Sequence, residues 1–261
     1  MKHHFSPLSI VAAAMLASVP VSMAQDAAAT EPAKEPGWKA GTIFEGWDGS
    51  MDVGLSGATG NTENFNIRVG IDAKKEKEKS VWLFDLSYYR ATDEGDETDD
   101  RWDINLRYDY KLDIPKWRLF AKGRYEYDEY KAWLHRISLH GGVGYEFVKN
   151  DKMTLIGRAG AGAYLEIHGP ENAWQPEGLL GYDFDYKITE RQNVFATGDF
   201  FPSFKDISDY RIVNKAGYQL MVDPEVSMVL KAGIESEYDS NPGDGFKKHD
   251  LRYFLSLGWV F

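Results

Sequence analysis

Cysteine is absent from the whole 261-residue chain. An exported protein with no cysteine does without disulfides, and it has no residue at its export junction for lipidation, so a lipoprotein is excluded. Long apolar runs are scarce too. After residue 24 none approaches the roughly 18 residues that a spanning helix needs, although a membrane barrel stays open because half of each of its strands faces a polar lumen. Positive charge is in short supply. Lys and Arg total 30 against 41 Asp and Glu, a formal net charge of −11. Phosphate backbones are gripped by basic surfaces, so no nucleic-acid partner is expected. No motif calls for a cofactor or a structural metal.

What the chain does have is aromatic residues at 14% and 25 glycines, a composition that suits strands and tight turns. The first residues read as an address rather than as fold. Lys2 gives a basic start, Leu8 to Val19 is a short apolar stretch, and Ser22-Met23-Ala24 is a small-x-small cleavage site. Residues 1–24 are therefore expected to be a signal peptide. Residues 25–46 open with Ala, Glu, Lys and Pro, too poor in apolar side chains to order themselves, and are expected to form a flexible periplasmic segment.

From Trp47 to Phe261 an apolar/polar alternation recurs about twelve times. The cleanest copy sets Trp102, Ile104, Leu106, Tyr108 and Tyr110 against Asp103, Asn105, Arg107 and Asp109. A period of two means a strand with two unlike faces. The last copy sets Leu251, Tyr253, Leu255, Leu257, Trp259 and Phe261 against a mixed set that includes Arg252 and Ser256. Asn193–Phe201 alternates least well. Short connectors such as Lys75–Lys79 and Thr189–Gln192 take turns with longer polar ones such as Thr92–Asp100 and Asp239–Lys247. Sorting of loops by parity, on strands of roughly 9–13 residues, predicts an all-β fold: a single antiparallel up-and-down transmembrane β-barrel over residues 47–261.

Periodicity alone does not say which face is outward; a soluble periplasmic sandwich or lipocalin-like barrel would point the apolar face inward. Three features favour lipid. The polar face carries charges of both signs, Trp and Tyr gather at strand ends (Trp47, Trp82, Trp117, Trp259) as in an interfacial girdle, and the final strand ends on Phe261. That ending looks like the closing strand of a bacterial outer-membrane barrel. It makes Leu251–Phe261 the expected contact for the barrel assembly machinery, with outer-membrane lipid and lipopolysaccharide as the surroundings.

A family resemblance adds to this. The stretch W-D-G-S-M-D-V-G-L-S-G-A-T-G-N-T (Trp47 to Thr62) is similar to the start of the salt-induced outer membrane protein family, a domain of unknown function numbered 481. So are R-W-D-I-N-L-R-Y-D-Y-K-L (Arg101 to Leu112) and R-I-S-L-H-G-G-V-G-Y-E-F (Arg136 to Phe147). Gly60-Asn61-Thr62 is the most specific piece. The resemblance implies outer-membrane location and an osmotic role, and it supplies no catalytic residues.

The charged face is the first candidate site. Asp103, Arg107, Asp109, Arg118, Lys122, Arg124, Glu126, Arg136, Arg158, Asp183 and Arg211 are expected to face the lumen. There they either fill and stiffen it or line a narrow hydrated passage. About eight strands leave a filled interior and sixteen an open channel, so twelve falls between. Pairing Lys111 with Lys116 would set Asp109 opposite Arg118 and Asp103 opposite Arg124. A register slipped by two would set Arg107 beside Lys122, so the first is expected. The acidic stretch Thr92–Asp100 reads as a solvated outer loop that fits no defined calcium-loop spacing. Ser138 and His140 share one strand face and are the candidates for a phospholipase-like hydrolase. Three functions follow: a narrow passive pore or salt-stress envelope protein, a hydrolase using that pair, and a structural barrel with adhesive outer loops.

Overall fold

The computed structural model describes residues 45–58, 63–169 and 172–261. The chain divides into two units, residues 1–39 and residues 40–261, and every described residue lies in the second. The expected signal peptide (1–24), most of the expected periplasmic segment (25–46) and Gly60-Asn61-Thr62 fall outside the described residues.

Among the described residues there are twelve strands and no helix. They are β1 (Asp48–Ala58), β2 (Asn64–Glu76), β3 (Ser80–Asp93), β4 (Asp96–Lys111), β5 (Trp117–Asp128) and β6 (His135–Lys149), then β7 (Met153–Ile167), β8 (Gln175–Thr189), β9 (Gln192–Pro202), β10 (Tyr210–Asp223), β11 (Met228–Asp239) and β12 (His249–Val260). Each pairs antiparallel with its neighbours in sequence, and β1 pairs with β12, which closes the barrel. The seam is tied where Gly49 and Phe261 exchange backbone bonds, N to O, of 3.1 and 2.9 Å. Closure leaves no strand edge, so the ladder groups satisfy one another inside the sheet.

The alternation resolves in one direction. Tyr253 is 85% and Leu255 63% exposed, and Trp102 and Leu106 are also exposed, whereas Arg107, Asp109 and Arg124 are buried. The apolar face looks out and the ionic face looks in, the reverse of a soluble barrel. Aromatic side chains form a band at each end. At the end with the tighter turns, Trp82 lies 4.7 Å from Tyr108 and Trp117 5.0 Å from Tyr145. At the other end, Tyr88 stacks on Trp102 at 4.3 Å and Tyr210 on Tyr238 at 5.6 Å.

Two expectations are corrected. The acidic stretch Thr92–Asp100 is mostly strand, because β3 runs to Asp93 and β4 starts at Asp96. Glu94 and Gly95 alone form the tip, with φ of 52° and 88°. Positive φ at both central residues is the hairpin turn whose twist matches the flanking strands, so the ladder continues to the tip. The β4–β5 register is also the one thought less favourable. Lys111 pairs with Arg118, Asn105 with Arg124, and Arg107 with Lys122. The connecting turn sets this: Leu112 N donates to Trp117 O at 3.0 Å, with Lys116 left-handed at φ 70°.

Candidate functional site

The lumen is the candidate site, and strand parity builds it: every second residue of twelve strands points to one axis. All eleven charged residues named from the sequence lie on this inner face. What the strand pattern does not reveal is how the charges pair across space. Arg107 on β4 donates to Asp183 on β8 at 2.7 and 3.3 Å. Lys122 on β5 bonds Asp199 on β9, and Arg158 on β7 is shared by Asp183 and Asp199. Lys215 on β10 reaches Asp85 on β3 at 2.7 Å and Asp72 on β2 at 3.3 Å. Apart from Arg158 and Asp183, on adjacent β7 and β8, these pairs join strands that are not neighbours in the sheet, so they run through the lumen from wall to wall.

Further links complete the network, most of them between strands on the same side of the barrel. Arg118 donates to Asp109 at 3.3 Å and to Glu146 at 2.5 Å. Arg124 holds Asp103 and lies 3.1 Å from Glu126. Arg136 is shared between Glu166 and Asp239, and Arg211 donates to Glu177 at 2.9 and 3.0 Å. An ion buried without a partner would cost several kcal/mol, roughly 3–5 when one partner is removed. Sharing each guanidinium between two acids is what makes the charged interior tolerable.

The lumen is not uniform. On one side Phe120, Leu179 and Phe201 form a small apolar cluster with Val213 against it. Gly142 and Gly160 make room for the Phe120 ring; a Cβ on either would lie 2.9 Å from it. Next to it a cavity of about 330 Å³ remains, its lining including Asp72, Asp85, Arg107, Lys122, Arg158, Val213 and Lys215. Carboxylates and cations share that wall with the aliphatic stems that carry them, and the cavity is partly open, so water can enter it.

Ser138 and His140 both face inward from β6 and are buried. His140 Nε2 lies 3.0 Å from Glu177 Oε1, while Ser138 Oγ has no hydrogen-bond partner among the described residues. A nucleophile–base bond is therefore missing, and the pair faces the lumen and not lipid. At the base of the acidic hairpin, carboxylate oxygens of Glu97, Asp100 and Glu129 come within 4.8 Å of one another, a partly exposed cluster of a kind common without an ion.

Several luminal charges escaped the sequence-derived set. Arg68 donates to Asp52 at 2.5 Å and to Glu235 at 3.1 Å. Both Asp52 and Arg68 sit on the polar phase of their strands, so alternation carried the signal. Glu177, near the start of β8, and Asp239, the last residue of β11 and read from the sequence as the start of a connector, were missed because they lie at strand ends.

A closed antiparallel ladder, an apolar exterior with two aromatic bands and an ion-paired interior together define the class: a porin-like β-barrel with the fold of outer-membrane barrels. Within that class the chain belongs to the family described as "Protein of unknown function, DUF481", whose model matches residues 51–261. Among solved structures it is similar to the NanC porin, with 12% identity, coverage of 81% of this chain and 98% of that one, and a TM-score of 0.46. It is also similar to the KdgM porin, with 12% identity, coverage of 82% and 99%, and a TM-score of 0.43. The translocator domain of the autotransporter NalP from Neisseria meningitidis shares 13% identity, with coverage of 82% and 87% and a TM-score of 0.39. No curated protein matches the chain.

Proposed function

We propose that this protein is a bacterial outer-membrane barrel that encloses a narrow passage for small polar solutes or ions. The observation that carries the reading is the charge-lined cavity of about 330 Å³ inside a barrel whose outside is apolar. A lumen that is only a stiffening core has no reason to keep a charge-lined void of that size. Export by the segment 1–24 and a periplasmic segment 25–46 belong to the same reading. So do Leu251–Phe261 as the strand offered to the assembly machinery, and contact of the outer surface with lipid and lipopolysaccharide. Within this reading the tight-turn end faces the periplasm and the longer loops face outward. A role under osmotic or salt stress fits a passage this narrow.

The test is electrical. Purified protein reconstituted in a planar bilayer should give small, discrete conductance steps. A silent membrane would overturn the passage and favour the structural barrel, for which the packed half of the lumen around Phe120 and Phe201 is the supporting observation.

A further inference from the structure

The connection between β5 and β6, residues 129–134, does not stand clear of the barrel. It lies across the mouth at the long-loop end. Near its start, Glu129 N donates to Asp100 O at 3.3 Å and Tyr130 Oη to Glu97 O at 2.5 Å. Lys131 then bonds Asp250 at the start of β12 and sits 3.7 Å from Glu237 on β11. Ala132 packs on Gly243 in the β11–β12 loop, where an added Cβ would lie 2.8 Å from its own. Trp133 is only 5% exposed and lies under the Arg136 guanidinium at 4.2 Å. In strand order, β5–β6 and β11–β12 are half a circuit apart. The segment is a strap from one wall to the opposite one.

Charges of both signs crowd beneath the strap. Asp103, Asp128, Glu237 and Asp250 face Arg101, Arg124, Lys131 and Arg136. Arg101, Lys131 and Arg136 all approach Glu237 at 3.7 to 4.0 Å. Those separations exceed a hydrogen bond, so Glu237 is neutralised by field and not by direct bonds. Glu126, itself nine-tenths buried, leaves Oε2 without a hydrogen-bond partner among the described residues. Lys131 is the one cation here that belongs to the strap and not to a strand.

We propose that residues 129–134 are the gate of the outer mouth, latched by Lys131 on Glu237 and Asp250, and that these two carboxylates select cations once the latch is released. Rings of acidic side chains favour cations in narrow pores, and the latch keeps this pair masked. The inference rests on the passage proposed above and names what that passage admits.

Breaking the latch from either side tests it, because the two routes predict different selectivity. Lys131→Met frees the strap, unmasks Asp250 and leaves Glu237 with Arg101 and Arg136 alone. Conductance in potassium chloride should rise several-fold, with the reversal potential in a salt gradient shifting toward the cation. The double variant Glu237→Gln/Asp250→Asn frees the same strap without the acids, so conductance should rise with no cation shift. Retention of the heat-shift on gel electrophoresis checks that each variant is still a barrel. Unchanged conductance in both variants, with a conducting parent, would overturn the gate. Equal selectivity in both would overturn the role of the two carboxylates. A parent and variants that are all silent would overturn the passage itself and the gate with it.

Discussion

Arg107 and Lys122 stand directly opposite one another across the β4–β5 ladder, a position where two like charges repel. The barrel resolves this by turning each cation to a different acid on another wall: Arg107 to Asp183 at 2.7 Å and Lys122 to Asp199. Their partners are therefore more important than the cations. Asp199→Asn deprives Lys122 and Arg158 together and should destabilise the barrel by about 3–5 kcal/mol, the cost of breaking a buried pair from one side. Lys122→Met relieves the repulsion and leaves Asp199 with Arg158, so it should cost clearly less. Unfolding midpoints in urea for the detergent- or lipid-held protein would decide; equal losses would contradict the account.

The same pair marks where the sequence was legible and where it was not. Strand number, the two faces and the luminal charges follow from a period of two, because most inward residues are charged, polar or small while their neighbours are greasy. β9 was the weak copy because its inner face carries Phe201, part of the apolar cluster, alongside Asp199. The β4–β5 register was misjudged because opposite charges were expected to sit directly opposite. Arginine reaches the diagonal position instead: Asp109–Arg118 and Asp103–Arg124 both form in the observed register. The wall-to-wall pairs and the strap were beyond reach, since alternation carries no information about which strands meet across the axis.

Phe120 is a second point of leverage. It is 5% exposed and packs with Leu179 and Phe201, and Gly142 and Gly160 cannot fill the space it would leave. Phe120→Ala should cost about 3–5 kcal/mol and, by emptying the packed half of the lumen, enlarge any conductance step. Gly160→Ala should also destabilise, because its Cβ would fall 2.4 Å from the Gly141 carbonyl oxygen. Removing Phe120 should not rescue that variant, since the clash is with backbone. Rescue would mean that the ring, and not the strand spacing, sets the need for glycine.

The acidic hairpin offers a cleaner backbone test. Glu94 holds φ of 52° and Gly95 88°, and the first of these positions favours Asn or Gly over Glu. Glu94→Asn should therefore stabilise the tip, by a part of the roughly 1–2 kcal/mol that a left-handed conformation costs. Gly95→Val should destabilise it by about 1–2 kcal/mol, the cost of a left-handed conformation for a residue with a Cβ. Hydrogen-exchange protection of the Thr92–Glu97 and Ala91–Asp99 pairs should move in the same directions. No change for either substitution would mean that the tip is not held in this turn.

The membrane reading itself can be read from two tryptophans in one molecule. Trp102 is 38% exposed on the outer face of β4, while Trp133 is 5% exposed inside the mouth. In single-tryptophan versions reconstituted in vesicles with brominated acyl chains, Trp102 fluorescence should be strongly quenched, because that side chain touches hydrocarbon. Trp133 should be nearly untouched, shielded by the barrel wall and by Arg136 above it. If the apolar band instead met another protein surface or water, bromine would quench neither residue. If the barrel were inside out, Trp133 would be quenched in place of Trp102.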